Sequence, residues 1–313
     1  MRAFAIPEFG GTGSVTERPT PEPTEGQVLI RVHAAGVNAM DTAIVSGAFA
    51  SRMEHRLPLV PGLDVSGVVE AVGPGVEAIG VGDAVFGNVG KRYFGEGTFG
   101  ELVTANTSLL VQKPAGLTHT LAAALPTAGA AAVALVDAVD PKPGQTVVIV
   151  GAGGGVGSFA TELAARAGAH VVAVTRGAYA DQVRSLGATD VIDYTAGDVA
   201  EAVRVRYPGG VDAIIDIHSQ KDELTRIAQS VKAGGGVASI LRAADEEALA
   251  PRGVASFNVG ANYQRLGDLG RLAEQGELRI PITTYPLADA GKALAAQATG
   301  HSRGKIVVIV TEV

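Results

Sequence analysis

Five glycines within seven residues form the most distinctive chemical motif of the chain. The stretch 151–157 reads Gly-Ala-Gly-Gly-Gly-Val-Gly and follows the apolar run 146–150. Glycines let a diphosphate approach the backbone closely, and a helix that begins after them presents free N–H groups and a partial positive charge. The motif therefore predicts a phosphate cradle for a dinucleotide, with Gly154, Gly155 and Val156 as cofactor-binding residues.

The loop departs from the usual dinucleotide fingerprint at one place. Ala152 stands where the first glycine of G-x-G-x-x-G is expected, whereas Gly154 and Gly157 hold the other two positions. The alternative is a tight turn between a strand and a helix that binds no ligand, although such a turn needs fewer glycines. A Walker-type nucleotide loop is excluded, because no Lys-Ser or Lys-Thr pair ends the motif.

The residues after the next predicted strand indicate which dinucleotide binds. An acid that holds the ribose of NAD is expected about 20 residues beyond the glycine loop. Here the strand 171–174 is followed by Thr175 and Arg176, and the first carboxylate is Asp181. A guanidinium offers forked donors to phosphate oxygens, so Arg176 predicts NADPH rather than NADH, with Tyr179 covering the adenine. A solvated loop cation is the alternative interpretation of Arg176.

The patterns on either side of these residues predict two kinds of domain. Residues 1–117 show short apolar runs between glycine-rich corners, which is typical of a barrel-like β region. Residues 118–260 alternate strands with helices, and strands that are apolar on both faces predict a parallel sheet covered on each side. Residues 261–313 add two helices and a strand at 306–310, which we expect to rejoin the first domain.

Several elements of the second domain can be placed from the sequence. The pattern predicts one helix over 121–139, strands over 146–150 and 236–241, and an outermost strand of the sheet over 253–259. An uncovered edge strand exposes unpaired N–H and C=O groups and invites a second chain to pair with it. This edge is where we expect a homodimer to form, and a monomer whose edge is hidden by the loop 243–250 is the alternative.

Composition limits the class of protein. Of the 313 residues, 47% are hydrophobic and 18% are charged, with a formal net charge of −7, which argues against disorder and against a nucleic-acid partner. The longest apolar run, 121–136, is shorter than the roughly 20 residues that cross a bilayer. We found no secretory signal or transit peptide and expect a cytoplasmic protein without a membrane partner. The absence of cysteine excludes disulfides, thiolate nucleophiles and cysteine-ligated zinc.

Six motifs occur along the chain in an order that matches a known family. They are Gly36 to Asp41, Pro61 to Val69, Gly82 to Val85, Gly97 to Glu101, the glycine loop, and Gly304 to Val308. Together they resemble the zinc-free medium-chain dehydrogenases/reductases, in the quinone oxidoreductase branch that includes zeta-crystallin. The resemblance implies an α/β fold in which a GroES-like β-barrel catalytic domain accompanies a Rossmann domain with a doubly wound parallel sheet.

The resemblance also implies a metal-free reaction. Zinc-dependent relatives need a cysteine in the loop 36–41 and a His-Glu pair where this chain has Leu63 and Asp64, and its six histidines are scattered without metal spacing. Without a metal, hydride from NADPH is best delivered to a small electrophile that spreads negative charge, such as a quinone or an α,β-unsaturated carbonyl. Solvent can supply the proton. The alternatives are an enoyl-thioester reductase of a biosynthetic pathway and a non-catalytic NADPH-binding protein, crystallin-like or a sensor.

Positions that match the family's motifs give the remaining candidate residues. In the first domain, Asn38 is placed under the nicotinamide and substrate pocket, and Asp41 in the same motif is interpreted as structural. Tyr93 is the candidate substrate contact, with packing as its alternative role. Further cofactor contacts implied by the resemblance are Thr127, Thr175, Tyr194, His218, Ile240 and Leu241.

Overall fold

The computed structural model describes residues 1–300 and 302–311, which form two compact units. The first unit comprises residues 1–127, 263–277 and the chain from 282 onward, and the second comprises residues 128–262 and 278–281. The chain therefore leaves the first unit, builds the second and returns. No helix in the described part of the chain is long and apolar enough to cross a membrane.

The chain up to the second unit is built mainly of strands. Its elements are β1 (Arg2–Ala5), β2 (Ser14–Glu17), β3 (Gln27–Val37), α1 (Ala39–Val45), β4 (His55–Val60), β5 (Asp64–Val72), β6 (Ala84–Asn88), β7 (Phe94–Glu96), β8 (Leu102–Asn106), β9 (Leu110–Gln112), α2 (His119–Ala124) and α3 (Pro126–Val139). The prediction of a single helix over 121–139 is wrong. Pro126 lacks a backbone N–H, so it ends one helix and occupies the first position of the next.

The second unit alternates strands and helices. Its elements are β10 (Thr146–Val150), α4 (Gly155–Arg166), β11 (His170–Thr175), α5 (Ala180–Ser185), β12 (Asp190–Asp193), α6 (Val199–Arg206), β13 (Val211–Asp216), α7 (Lys221–Ile227), β14 (Val231–Ser239), α8 (Glu246–Leu249) and β15 (Ala255–Asn258). All pairs in its six-stranded sheet are parallel, in the order β12-β11-β10-β13-β14-β15. This is the doubly wound arrangement of dinucleotide-binding domains, and β15 lies at its edge as predicted.

After the second unit the chain completes the first. The returning elements are α9 (Leu266–Glu274), β16 (Ile282–Pro286), α10 (Ala290–Ala298) and β17 (Lys305–Ile309). The larger sheet of the first unit has the order β16-β17-β3-β5-β6-β9, and β8 also pairs with β3. Strand β17 is antiparallel to β3, with Ile306 opposite Val37. The last strand therefore lies in the first unit. The predicted α/β fold class, with its strand-rich unit and parallel sheet, is confirmed.

Close packing of α2 against β3 depends on one glycine. A Cβ atom on Gly36 would lie 2.3 Å from the carbonyl oxygen of Ala123, which a side chain cannot tolerate. Gly36 also faces Asp64 across the β3–β5 ladder, and Asp64 faces Asn88 across the β5–β6 ladder. The glycine therefore brings the end of β3 and its polar neighbours close to the helix pair that carries Thr127.

Candidate active site

The glycine loop joins β10 to α4 at the carboxyl edge of the parallel sheet. Gly151 has a φ of +87°, a backbone conformation that favours glycine. A Cβ atom on Gly157 would lie 2.1 Å from the carbonyl oxygen of Gly151, so the first turn of the helix is in direct contact with the loop. Gly154 occupies the N-cap position of the 12-residue helix and provides no side-chain cap. The first N–H groups of α4 are thus left for a ligand, as a pyrophosphate requires.

The outer wall of this cradle is shaped by the strand next to it. A Cβ atom on Gly153 would lie 2.4 Å from Thr175 Oγ1 and 2.8 Å from a ring carbon of Tyr179. Gln182, which is buried on α5, donates a hydrogen bond of 3.2 Å to the carbonyl oxygen of Gly153. The loop is therefore held in place by side chains around it while its own inner surface stays free of side chains, and this geometry fits a dinucleotide pyrophosphate.

Arg176 lies directly after β11 and is oriented by a tyrosine. Its Nε donates to Tyr194 Oη at 2.8 Å, and Tyr194 itself is exposed. The nearest acid of this edge, Asp193, belongs to β12 rather than to β11. Hydrogen bonds from Thr195 are the main reason why the pKa of Asp193 lies below its ordinary value, and the charge of Arg176 contributes. The cation and the exposed phenol form a surface at which a phosphate-bearing ribose could bind.

A buried pair fixes the loops that follow β13 and β14. Ser239 Oγ donates to Asp216 Oδ2 at 3.2 Å and accepts the backbone N–H of Leu241 at 3.2 Å. Asp216 also accepts the backbone N–H of His218 at 3.5 Å, and burial raises the pKa of its carboxyl group. The side chains of His218 and Leu241 are exposed, and that of Ile240 is partly buried. These predicted cofactor contacts therefore lie on the same sheet edge as the glycine loop.

In the first unit, Asn38 connects three ionisable side chains. Its backbone N–H donates to Asp41 Oδ2 at 2.7 Å, and its Nδ2 donates to Asp64 Oδ2 at 2.9 Å. Its Oδ1 accepts from Lys305 Nζ at 2.6 Å, and Lys305 also donates to the carbonyl oxygen of Val37 at 2.8 Å. Asn38 is thus directed inward, where it positions charged neighbours.

The three ionisable groups are out of contact with water. Asp41 and Asp64 are fully buried and Lys305 is 2% exposed. Burial and the neighbouring charge of Asp64 raise the pKa of Asp41 to about 7. The N–H groups of Asn38 and Gly62 and the charge of Lys305 lower it in part. Burial also raises the pKa of Asp64 and lowers that of Lys305. Such groups are expensive to bury unless they are paired, so this cluster is a candidate functional element.

Three more polar side chains extend the cluster towards the surface of the first unit. Thr127 Oγ1 lies 2.6 Å from Asp64 Oδ1, and the backbone N–H of Thr127 donates to Asp64 Oδ2 at 3.0 Å. Tyr263 Oη lies 3.2 Å from Thr127 Oγ1. Asn88 Nδ2 lies 3.3 Å from oxygen atoms of Asp64, Thr127 and Tyr263. The structure therefore joins two predicted site residues, Asn38 and Thr127, in one network.

Tyr93 has different neighbours. Its hydroxyl donates a short hydrogen bond to Glu96, and the guanidinium carbon of Arg56 lies 3.4 Å from its ring centroid. Lys91 Nζ, largely buried, contacts Glu96 at 3.3 Å. Burial, the hydrogen bond to Glu96 and its charge raise the pKa of Tyr93 to about 12. The hydroxyl and one face of the ring are occupied by this local cluster, and a substrate contact by Tyr93 stays a prediction.

Sequence reasoning missed four members of the polar network. Asp64 and Lys305 were visible only as parts of family motifs, and Asn88 and Tyr263 carried no motif at all. One signal was available: Lys305 begins the otherwise apolar strand Lys-Ile-Val-Val-Ile, where a charged residue is unusual unless it is paired. Within residues 1–300 and 302–311, no three His, Asp or Glu side chains are grouped as metal ligands would be.

Comparisons with known proteins match residues of both units. Residues 24–115 match the family model of the alcohol dehydrogenase GroES-like domain, and residues 186–308 match that of zinc-binding dehydrogenases. The chain is 30% identical to a chloroplastic quinone oxidoreductase of Triphysaria versicolor, over 98% of each protein. It is 31% identical to the chloroplastic NADPH-dependent alkenal/one oxidoreductase of Arabidopsis thaliana, over 98% of this chain and 79% of that protein.

A solved structure supports the same assignment. The quinone oxidoreductase of Coxiella burnetii superposes with a TM-score of 0.87 at 30% sequence identity, and the match covers 99% of both chains. The similarity includes both units, and it extends over the glycine loop and over the strand that carries Lys305. The chain is therefore an NAD(P)H-dependent oxidoreductase that belongs to the quinone oxidoreductase branch of the medium-chain dehydrogenase/reductase family.

Proposed function

We propose that this protein is an NADPH-dependent reductase that delivers hydride to a quinone or an α,β-unsaturated carbonyl compound without a metal ion. The observation that carries the proposal is the glycine cradle, beside which Arg176 and Tyr194 take the place of an acid. The names of two relatives, a quinone oxidoreductase and an NADPH-dependent alkenal/one oxidoreductase, support the substrate class.

The preference for NADPH follows from the charges at the end of β11. A 2'-phosphate gains charge-assisted hydrogen bonds from a guanidinium, whereas NADH would need a carboxylate to accept its 2'-hydroxyl. Arg176 offers the cation, and Thr175 stands at the strand end. Gly154, Gly155 and Val156 would hold the pyrophosphate, and the bound cofactor would supply the hydride.

The first unit supplies groups that suit a charge developing on a substrate oxygen. The partly buried residues Thr127 and Tyr263 carry hydroxyls, and Asn88 adds an amide donor beside them. Donors that are fixed before the reaction stabilise an enolate or a hydroquinone anion without reorganisation. Reduction of an acceptor that spreads its charge therefore does not require a Lewis acid.

Steady-state oxidation of NADPH and NADH with a quinone, an alkenal and an enoyl-CoA tests the proposal. We expect turnover of the quinone or the alkenal with NADPH, and no loss of rate after prolonged treatment with EDTA. A rate that falls with EDTA and recovers only with zinc would refute the metal-free mechanism. Preference for the enoyl-CoA would favour an enoyl-thioester reductase, and tight NADPH binding without oxidation would favour a non-catalytic binding protein.

We further propose a homodimer formed through the edge strand β15. The N–H of Val259 bonds to the carbonyl oxygen of Ser239, so by strand alternation the N–H of Ser256 points away from β14. Ser256→Pro removes that outward donor without breaking the internal ladder. Light scattering should give the mass of two chains for the wild type and a shift towards one for the variant. A wild-type mass of one chain would refute the dimer. Location in the cytoplasm stays a prediction.

A further inference from the structure

The buried ionisable groups of the first unit do not balance in charge. We call Asp41, Asp64 and Lys305 the buried triad. Lys305 is the cation that acts on both carboxyl groups, and each of the three side chains is at most 2% exposed. An unbalanced charge in such a place is costly, so a buried acid keeps its proton instead. We therefore expect one of the two carboxyl groups to keep its proton while the other is ionised and Lys305 is charged, so that the triad has no net charge.

A chain of oxygen atoms leads from the buried triad to Tyr263. Thr127 Oγ1 lies within hydrogen-bonding distance of Asp64 Oδ1 on one side, at 2.6 Å, and of Tyr263 Oη on the other, at 3.2 Å. A hydroxyl donates one hydrogen bond while it accepts another, so Thr127 can pass a proton in either direction. Tyr263 and Thr127 are both partly exposed, whereas Asp64 is fully buried.

The position of the retained proton determines which group donates and which accepts in each hydrogen bond between Asp64 and Tyr263. When Asp64 is ionised, Thr127 donates to it and Tyr263 donates to Thr127, so the phenol hydrogen points inward. When Asp64 carries the proton, the order reverses and the phenol hydrogen is free for a ligand. Asn88 Nδ2 can donate to Tyr263 Oη in both cases, because Asn88 Oδ1 accepts the N–H of Gly90 at 3.0 Å and so orients the amide.

We propose that Tyr263 is the proton donor of the reduction and that Asp64 restores its proton through Thr127. The inference rests on the proposed function. Hydride addition to the β-carbon of an enone leaves the electron pair and negative charge of an enolate on the carbonyl oxygen. The O–H bond of Tyr263 breaks and the enolate oxygen gains the proton, which gives an enol that tautomerises to the saturated carbonyl compound in water after release. One proton then moves from Thr127 to the phenolate and another from Asp64 to Thr127, and a solvent proton returns along the same chain after product leaves.

The acidity of Tyr263 suits this step. Burial and the charge of Asp64 are the main causes that raise its pKa to about 12, against which the hydrogen bonds of Thr127 and Asn88 act. The charge of Asp41 also raises the pKa of Tyr263. The charged groups that face the network are Asp64 on β5, Asp41 on α1 and Lys305 on β17. A phenol of this acidity keeps its hydrogen in water and releases it to an oxygen as basic as an enolate.

Substitution of Tyr263 separates this inference from the proposed function. Tyr263→Phe should lower kcat for an alkenal by about 100-fold, the usual size of general acid catalysis. The same variant should lower kcat for a quinone less than it lowers kcat for the alkenal, because a hydroquinone anion is less basic and takes its proton from water. Tyr285→Phe, at a partly buried tyrosine of β16, is the matched control and should change neither rate.

The outcomes are distinct. If the wild type oxidises NADPH with neither the quinone nor the alkenal, the proposed function itself is contradicted. A wild type that reduces the alkenal as fast as Tyr263→Phe does overturns only the proton-donor role. Thr127→Val should reproduce the loss with the alkenal and Thr127→Ser should retain the rate, because serine keeps the hydroxyl. Equal rates in Thr127→Val and Thr127→Ser would overturn the relay.

Infrared spectroscopy of the cofactor-free protein tests the retained proton without turnover. We expect a carboxylic-acid band at pH 6 that is lost in both Asp41→Asn and Asp64→Asn, since either change balances the charges of the triad. Asp216 and Glu162, whose pKa values burial also raises, give bands of their own, and Asp216→Asn identifies one of them. A wild-type spectrum at pH 6 that contains no carboxylic-acid band lost in both Asp41→Asn and Asp64→Asn would refute the retained proton.

Discussion

The two candidate sites are built by opposite means. In the second unit, the glycine cradle works through missing side chains, because a Cβ atom on Gly153 or Gly157 would collide with protein atoms packed against the loop. In the first unit, the buried triad and its neighbours work through side chains that are fully enclosed and joined by hydrogen bonds. A backbone site tolerates no added atoms, whereas a buried polar site tolerates no lost partner. The two should therefore fail under different substitutions.

Removal of the buried cation should give the largest effect on stability. Lys305→Met leaves Asp41 and Asp64 without their shared counter-charge, and breaking such a buried set typically lowers the free energy of unfolding by about 3–5 kcal/mol. Lys292→Met, at an exposed lysine of α10 that pairs with Asp289, should change it by less than about 0.5 kcal/mol. Urea unfolding followed by circular dichroism measures both. A loss below about 1 kcal/mol for Lys305→Met would contradict the paired role.

One added methyl group should distort the cradle. Gly157→Ala places a carbon against the carbonyl oxygen of Gly151 and the backbone of Ala152, and such overpacking costs about 1–3 kcal/mol. We expect the variant to lose NADPH binding as well, measured by calorimetric titration. Gly197→Ala is the control, because a Cβ atom there would meet no neighbour within 4 Å. Unchanged affinity in Gly157→Ala would show that the cofactor does not approach this loop.

Loss of one exposed cation should affect affinity without affecting the fold. Arg176→Ala should weaken NADPH by roughly 10-fold to 100-fold and NADH little, since a charge-assisted hydrogen bond contributes about 1.5–3 kcal/mol. Arg184→Ala, at an arginine exposed on α5 beside Asp181, is the matched control. Titration of both cofactors measures the effect. Equal losses for NADPH and NADH would mean that Arg176 does not bind the 2'-phosphate.

A pH dependence of stability should distinguish the polar site from the glycine cradle. The pKa of Asp41 is raised from 3.8 to about 7 in the folded state. Between these two pH values the folded state therefore binds more protons than the unfolded state. The contribution of Asp41 to stability is therefore lost as the pH rises, by up to about 1.4 kcal/mol per unit.

Asp41→Asn should remove this slope in unfolding measurements from pH 5 to 8. His33 and His119, whose pKa values burial lowers, give a trend of opposite sign that is common to both proteins and cancels in the comparison. Parallel pH profiles for the variant and the wild type would contradict the assignment.

The contrast between the sites also explains what could be predicted from the sequence. The cradle is contiguous, so its glycines and the strand before them indicate both structure and ligand. The buried triad is brought together by α1, β5 and β17, and nothing local shows that Lys305 faces Asp64. Local signals also misplaced two boundaries. Pro126 divides a predicted helix, and β14 begins at Val231, five residues before the predicted 236, because Gly234 and its neighbours resemble a turn.

The insertion of β17 between β3 and β16 has a consequence for biosynthesis. The second unit is almost continuous in sequence, so most of it can fold as soon as residue 262 has been made. Strand β3, in contrast, cannot pair with β17 until that strand has been translated, more than 260 residues later. Until then one edge of β3 is unpaired and Asp41 and Asp64 lack their cation. The nascent first unit is thus the part of this protein most exposed to wrong pairing, and residues 305–309 complete both its sheet and its charge balance.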